Sequence, residues 1–192
     1  MRILVTGHTG FIGRNLMEWL NQEEEWLVDG WSWDPNNYPD VKNYNWVIHL
    51  GAVTDTSDVD IDTIIHKNYE FSQWLFNECN KNKVHIQYSS SSSVYGNTNN
   101  FSEFAPCHPQ TAYAWSKYLF DRWVFQQQHN IFVQGFRYFN VYGRYMYTKG
   151  ERTDIIYKWR DQARRDGKIT IWNNADRIKR DWVWVGDVCR LH

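Results

Sequence analysis

Hydrophobic and polar positions change their period early in this chain. Met1-Arg2-Ile3-Leu4-Val5-Thr6 is a short apolar run of the kind that forms a buried strand. Beyond it, Ile12, Leu16, Trp19 and Leu20 recur at the spacing of one helix face, so the pattern predicts strand, turn, helix. The turn is Gly7-His8-Thr9-Gly10-Phe11-Ile12-Gly13, with glycines at G-x-x-G-x-x-G. Gly7 permits a sharp turn, Gly10 lets backbone approach a pyrophosphate, and Gly13 lets the helix pack closely on the strand. The helix N-terminus that follows favours phosphate through its free N–H groups and its dipole. A second strand is expected at about Trp26 to Trp33.

Composition changes this picture little. The chain has 192 residues, enough for a single sizeable core, and 42% of them are hydrophobic. With 21 basic and 22 acidic residues the net charge is −1, which gives no broad electrostatic footprint for a nucleic acid polymer. Cys79, Cys107 and Cys189 lack Cys-x-x-Cys spacing and read as free thiols in a reducing, cytoplasmic setting. The seven histidines are scattered without ligand spacing, so no metal site is expected. The N-terminal apolar run is too short for a signal peptide or a membrane span. Twelve tryptophans, including Trp31 and Trp33, are adequately explained by buried aromatic packing.

Chemistry enters between Ser89 and Lys117. A run of serines closes on Val94-Tyr95-Gly96, and Tyr113-Ala114-Trp115-Ser116-Lys117 follows. On a helix, Tyr113 and Lys117 share a face. The ammonium is expected to stabilise phenolate and lower the tyrosine pKa from about 10 toward working pH, making a usable base.

The glycine loop, the serine run and the Tyr-x-x-x-Lys pair together resemble the extended short-chain dehydrogenase/reductase family of nucleotide-sugar epimerases and dehydratases. The likeness covers essentially the whole chain. Val47-Ile48-His49-Leu50-Gly51-Ala52 looks like the strand whose end backs the cofactor, and Tyr88 to Gly96 like the strand carrying the catalytic serine. Gly135 to Gly143 and Lys179 to Val188 follow in the family's order. The resemblance implies an α/β, doubly wound, mainly parallel Rossmann sheet over residues 1–143. Residues 144–192 would begin a sugar-nucleotide lobe that stops short, as a natural short form, a fragment, or a chain completed by a partner.

Within the family the chain is most similar to the ADP-glyceromanno-heptose 6-epimerases, which place a Lys-Gly pair where Lys149-Gly150 stand here. In that resemblance Lys149 is a second acid/base group on the sugar face opposite Tyr113; the alternative is a solvated loop lysine. Ser91, Ser92 and Ser93 occupy the positions of a dehydratase's Thr-Asp-Glu, so no acid is present there to expel a hydroxyl.

The resemblance implies Ser91, Tyr113, Lys117 and Lys149 as catalytic, and Ser91, Asn140 and Arg180 as substrate-binding. Cofactor-binding residues would be Gly7, Gly10, Phe11, Ile12, Gly13, Leu50, Gly51, Ala52, Asn68, Tyr113 and Lys117, with Ser32 and Asp34 at the adenosine ribose. A serine at the end of the second strand would admit a 2′-phosphate and favour NADP; Asp34 reaching in would favour NAD. Partners implied are a nucleotide-diphosphate sugar and a second copy of the chain, with no nucleic acid polymer and no membrane. Two readings stay open beside epimerisation: a nucleotide-sugar 4-epimerase or reductase, and a catalytically idle dinucleotide-binding module. Only about a dozen residues separate Asp34 from Trp46, too few for the family's third strand and crossover helix, so that unit is expected to be missing or reduced to a loop, leaving the adenine pocket open.

Overall fold

The computed structural model describes residues 1–54, 59–173 and 175–192. Its centre is a five-stranded, all-parallel sheet of β1 (Arg2–Thr6), β2 (Leu27–Trp31), β3 (Trp46–His49), β4 (His85–Ser91) and β5 (Val133–Tyr138), in the order β2-β1-β3-β4-β5. Strand order reverses at β1, so the crevice beyond the carboxyl ends of β1 and β3 is the natural ligand position of such a sheet. The predicted doubly wound α/β fold is the one observed.

Helices cover both faces. α1 (Phe11–Leu20) presents Phe11, Leu16 and Leu20 to Ile3, Val5 and Ile48 of the sheet. On the other face, α3 (Phe71–Asn82) and α4 (Ala112–Gln126) bury Phe71, Leu75, Phe76, Phe120 and Val124 against Leu4, Val47 and Ile86. α3 continues from α2 (Ile61–Ile65) through a π-helical turn, His66–Glu70. Such turns are often found at functional sites, and this one carries Lys67 and Asn68.

The unit expected to be missing between β2 and β3 is absent as a strand and helix. Residues 32–45 connect the two strands as a loop, which leaves β2 at the sheet edge. The loop is pinned rather than loose, because Val41 is 1% exposed within the core and Tyr38 and Tyr44 pack against that core.

A second, two-stranded parallel sheet pairs β6 (Asn140–Tyr142) with β7 (Trp182–Trp184), connected through α5 (Ile155–Asp166). The terminal helix α6 (Val185–Leu191) returns to the main body, where Val185 and Cys189 share a core with Leu16 and Val5. Of the 144–192 segment, Met146 and α6 thus share a core with α1, whereas α5 has no fully buried residue. Among the described residues, no helix is long and apolar enough to cross a membrane.

Candidate active site

The glycine loop folds as its spacing predicts. Gly7 has φ +71°, and a Cβ there would stand 2.7 Å from the Gly51 Cα. At Gly13 a Cβ would fall 2.2 Å from the Gly7 carbonyl oxygen, so the first turn of α1 lies directly on the loop. Gly10 is different: it is the N-cap of α1, with φ −74°, and a Cβ would meet only the Gly7 carbonyl oxygen, at 3.2 Å. Protein packing thus demands glycine at positions 7 and 13, while position 10 faces the cleft.

That cleft measures about 720 Å³ and is lined by Gly7, Gly10, Phe11, Ile12 and Gly13, by Ser32 at the tip of β2, and by Leu50, Gly51 and Ala52 after β3. Arg14, Lys67 and Lys149 also line it, and no acidic side chain does among the described residues. A cradle of free backbone, a helix N-terminus and three basic side chains fits a dinucleotide with its pyrophosphate. Ser32 lies within hydrogen-bonding range of Thr9, at 3.2 Å between hydroxyl oxygens. Asp34 is not brought into the cleft. Its carboxylate instead accepts the Asn36 backbone N–H at 2.9 Å, folding the start of the 32–45 loop.

Asn68 also differs from its expected place. It is 1% exposed and its amide is fully used: Oδ1 accepts the Val53 N–H at 2.7 Å, and Nδ2 donates to the Val53 carbonyl at 2.9 Å and to Ser116 Oγ at 3.1 Å. Ser116 Oγ in turn donates to the Tyr113 carbonyl at 2.8 Å. Asn68 therefore ties the cleft floor to the helix bearing Tyr113 instead of offering its amide to a ligand. Beneath it, His49 sits between Thr6 Oγ1 at 2.6 Å and Ser72 Oγ at 2.9 Å, and Ser72 donates to the Asn68 carbonyl at 2.7 Å. Burial first, and then the nearby Lys117 charge, lower the His49 pKa to about 3, so the ring is neutral and structural.

A second cleft, about 260 Å³, is lined by Ser91, Tyr113, Asn140 and Lys149, together with Ile12 and Ala52. Ser91 ends β4, and Tyr113 lies in the first turn of α4, whose N-cap Thr111 accepts the Ala114 N–H at 3.1 Å. Lys149 belongs to the 3₁₀ segment Met146–Arg152 and lines both clefts, joining them. Although the residue is exposed overall, desolvation lowers its ammonium pKa, opposed by the Asp154 charge. Arg180 is not brought to either cleft: it is exposed and its guanidinium donates to the neighbouring Lys179 carbonyl at 2.9 Å.

The electrostatics of the Tyr113–Lys117 pair depart from the simple expectation. Lys117 is 3% exposed and its ammonium donates to the Ser89 carbonyl at 2.8 Å. Burial lowers its pKa to about 8, against the attraction of Asp121. Burial also raises the Tyr113 pKa, with a hydrogen bond from Ser91 pulling the other way. At Tyr113 desolvation therefore outweighs the Ser91 hydrogen bond, and the expected lowering by Lys117 is not seen. One turn beyond Lys117, Asp121 receives Ser90 Oγ at 2.9 Å and Arg137 Nε at 3.1 Å, a largely buried ion pair that fixes α4 against β5. Sequence reasoning missed Asp121 and Arg14, which belong to no local motif, and Ser116, which sits between Tyr113 and Lys117 but whose contact with Asn68 spans 48 residues.

The model of the NAD dependent epimerase/dehydratase family matches residues 36–192. The chain belongs to this family. Among solved structures, ADP-L-glycero-D-manno-heptose-6-epimerase of Helicobacter pylori is 25% identical, with a TM-score of 0.86 over 98% of this chain and 71% of that one. UDP-glucuronic acid 4-epimerase of Bacillus cereus, in complex with NAD, is 23% identical, with a TM-score of 0.82 over 99% and 72%. UDP-glucose 4-epimerase of Thermotoga maritima, with UDP-glucose, is 22% identical, with a TM-score of 0.81 over 99% and 71%. For an epimerase-family chain the two joined clefts acquire an order, with the basic one under the glycine loop and the serine–tyrosine one beside it. The family match begins after the glycine loop, so that loop's assignment rests on its own geometry.

Proposed function

We propose that this protein is a nucleotide-sugar epimerase that oxidises one sugar carbon and reduces it again from the other face, most like the ADP-glyceromanno-heptose 6-epimerases, and that it prefers NADP. The observation that carries this reading is the meeting of Ser91, Tyr113, Asn140 and Lys149 around one small cleft that opens, past Lys149, into the basic one. An epimerase needs proton-transfer groups on two sides of a carbon. Tyr113 from α4 and Lys149 from the 3₁₀ segment come from separate elements and supply them.

When bound, the nicotinamide cofactor accepts and returns a hydride. Tyr113 Oη takes the proton of the sugar hydroxyl, and Ser91 Oγ hydrogen-bonds the same oxygen as the carbonyl forms. Lys117 keeps positive charge beneath Tyr113, held by the Ser89 carbonyl. After the keto sugar turns over, the Lys149 ammonium delivers the proton on the second face, and its lowered pKa makes that transfer easier near neutral pH. Asn140, whose Nδ2 donates to the Asp181 carbonyl at 2.9 Å, borders the sugar. The preference for NADP is supported by Ser32 in the cleft, Asp34 outside it and the basic lining.

The test is to incubate the protein with NADP and a panel of nucleotide-diphosphate sugars, an ADP-heptose and UDP-hexoses among them, and to follow epimer formation by NMR. Interconversion of an ADP-heptose is expected. Turnover of a UDP-hexose alone would replace the heptose reading with a 4-epimerase.

A further inference from the structure

Where a strand and crossover helix would wall the adenosine end of such a cleft, this chain has the 32–45 loop and a set of aromatic rings. Trp31, the last residue of β2, stacks on Phe71 with ring centroids 5.0 Å apart and planes at 18°. Phe71 stacks in turn on Trp74, and Tyr38 from the loop meets Trp74 at 4.7 Å. Trp33 joins the group only edge-on or tilted: 74° to Trp31, 84° to Phe71, 86° to His66 and 57° to Tyr38. No described ring is stacked on Trp33, and its half-buried indole lines the cleft.

The group is also fixed relative to the phosphate cradle. The Gly7 N–H donates to the Trp31 carbonyl at 2.8 Å, which couples the end of β2 to the glycine loop. Trp31, Ser32, Trp33, Phe71 and Lys67 all line the 720 Å³ cleft that Gly10 faces. The Lys67 ammonium lies 5.3 Å from the Trp33 ring centroid, a cation–π contact that steadies the indole.

We propose that Trp33 is the platform on which the adenine of the dinucleotide stacks, in place of the missing strand and helix. The proposal rests on the dinucleotide reading of the cleft. A purine base presents an apolar face wherever the cofactor's phosphates are set, and an indole that lines the cleft beside Lys67 offers a matching surface, with the ammonium close to the base and phosphates. Trp31, committed to Phe71, serves as the wall behind it.

The experiment is titration calorimetry with NADP, ADP-ribose and nicotinamide mononucleotide on the parent, Trp33→Ala and Trp33→Phe. Trp33→Ala is expected to weaken NADP and ADP-ribose by about tenfold or more, the usual scale for loss of base stacking. Trp33→Phe should recover most of that loss, and nicotinamide mononucleotide should bind all three proteins alike. Equal ADP-ribose affinity in parent and Trp33→Ala would overturn the platform while leaving the cofactor reading intact. A folded parent that bound none of the three would overturn the cofactor reading and the platform with it. Should Trp33→Ala fail to fold, NOEs from adenine H2 and H8 to indole protons decide the matter, with Trp33→Phe assigning them. Their absence in the parent complex would equally overturn the proposal.

Discussion

The ammonium of Lys149 lies over the ring of Phe11, 5.6 Å from its centroid. A residue of the 3₁₀ segment after β6 is thus seated on the first turn of the glycine-loop helix, where the two clefts join. Desolvation at that junction lowers the ammonium pKa although the stretch is exposed, opposed by the Asp154 charge.

Lys149 and Tyr113 should each be needed for epimerisation. Tyr113→Phe and Lys149→Ala are expected to reduce turnover by about 10²–10⁴-fold, the usual value of a positioned proton-transfer group, while both variants still bind cofactor by calorimetry. Lys149→Arg should behave like Lys149→Ala, since guanidinium does not release its proton. A Lys149→Ala variant with parental turnover would remove this residue from the chemistry.

The glycines should separate by role. Gly13→Ala forces a Cβ to within 2.2 Å of backbone and is expected to lower stability by about 1–3 kcal/mol or more, read as a drop in Tm. Gly10→Ala needs a shift of only a few tenths of an ångström and should leave Tm nearly unchanged while weakening dinucleotide binding. Equal effects of the two changes on both readouts would contradict this division.

Cofactor choice should follow Ser32. The parent is expected to bind NADP at least as tightly as NAD, and Ser32→Asp to reverse the order by repelling the 2′-phosphate. Calorimetric affinities for both cofactors check this; a parent that clearly prefers NAD would point to another group at the ribose.

Lys117 should make stability depend on pH in an unusual direction. Its folded pKa of about 8 lies below the unfolded value near 10.5, so the folded state binds fewer protons between them. The destabilisation is present in full below pH 8 and fades as pH rises toward 10.5. The Tm of the parent relative to Lys117→Met is therefore expected to rise from pH 7 to pH 9, and Lys117→Met should be the more stable protein at pH 7 despite losing turnover. Parallel Tm profiles for the two proteins would show that Lys117 does not carry this linkage.

Acid should act through His49. With a folded pKa of about 3 against 6.5 in the unfolded chain, its contribution to stability is complete above pH 6.5 and is lost as pH falls toward 3. Melting of the parent and of His49→Gln across that window checks the sign: the parent should lose Tm more steeply.

What the sequence determined by itself is the local part. Strand, glycine turn and helix at Gly7 to Gly13, the shared helix face of Tyr113 and Lys117, and the shortness of the β2–β3 connection all follow from backbone sterics, period and chain length, which act over a few residues. The tertiary structure decided what depends on distant neighbours. Asn68 turns to Val53 and Ser116, Asp34 closes its own loop, and Arg180 stays outside both clefts. Burial, a property of the whole fold, raises the Tyr113 pKa where helix spacing alone pointed down, and lowers that of Lys117 to about 8. Trp31 and Trp33 read as ordinary packing until the missing strand and helix placed them along a cleft. Spacing along a chain says which groups can meet, but desolvation and long-range packing fix which of them do.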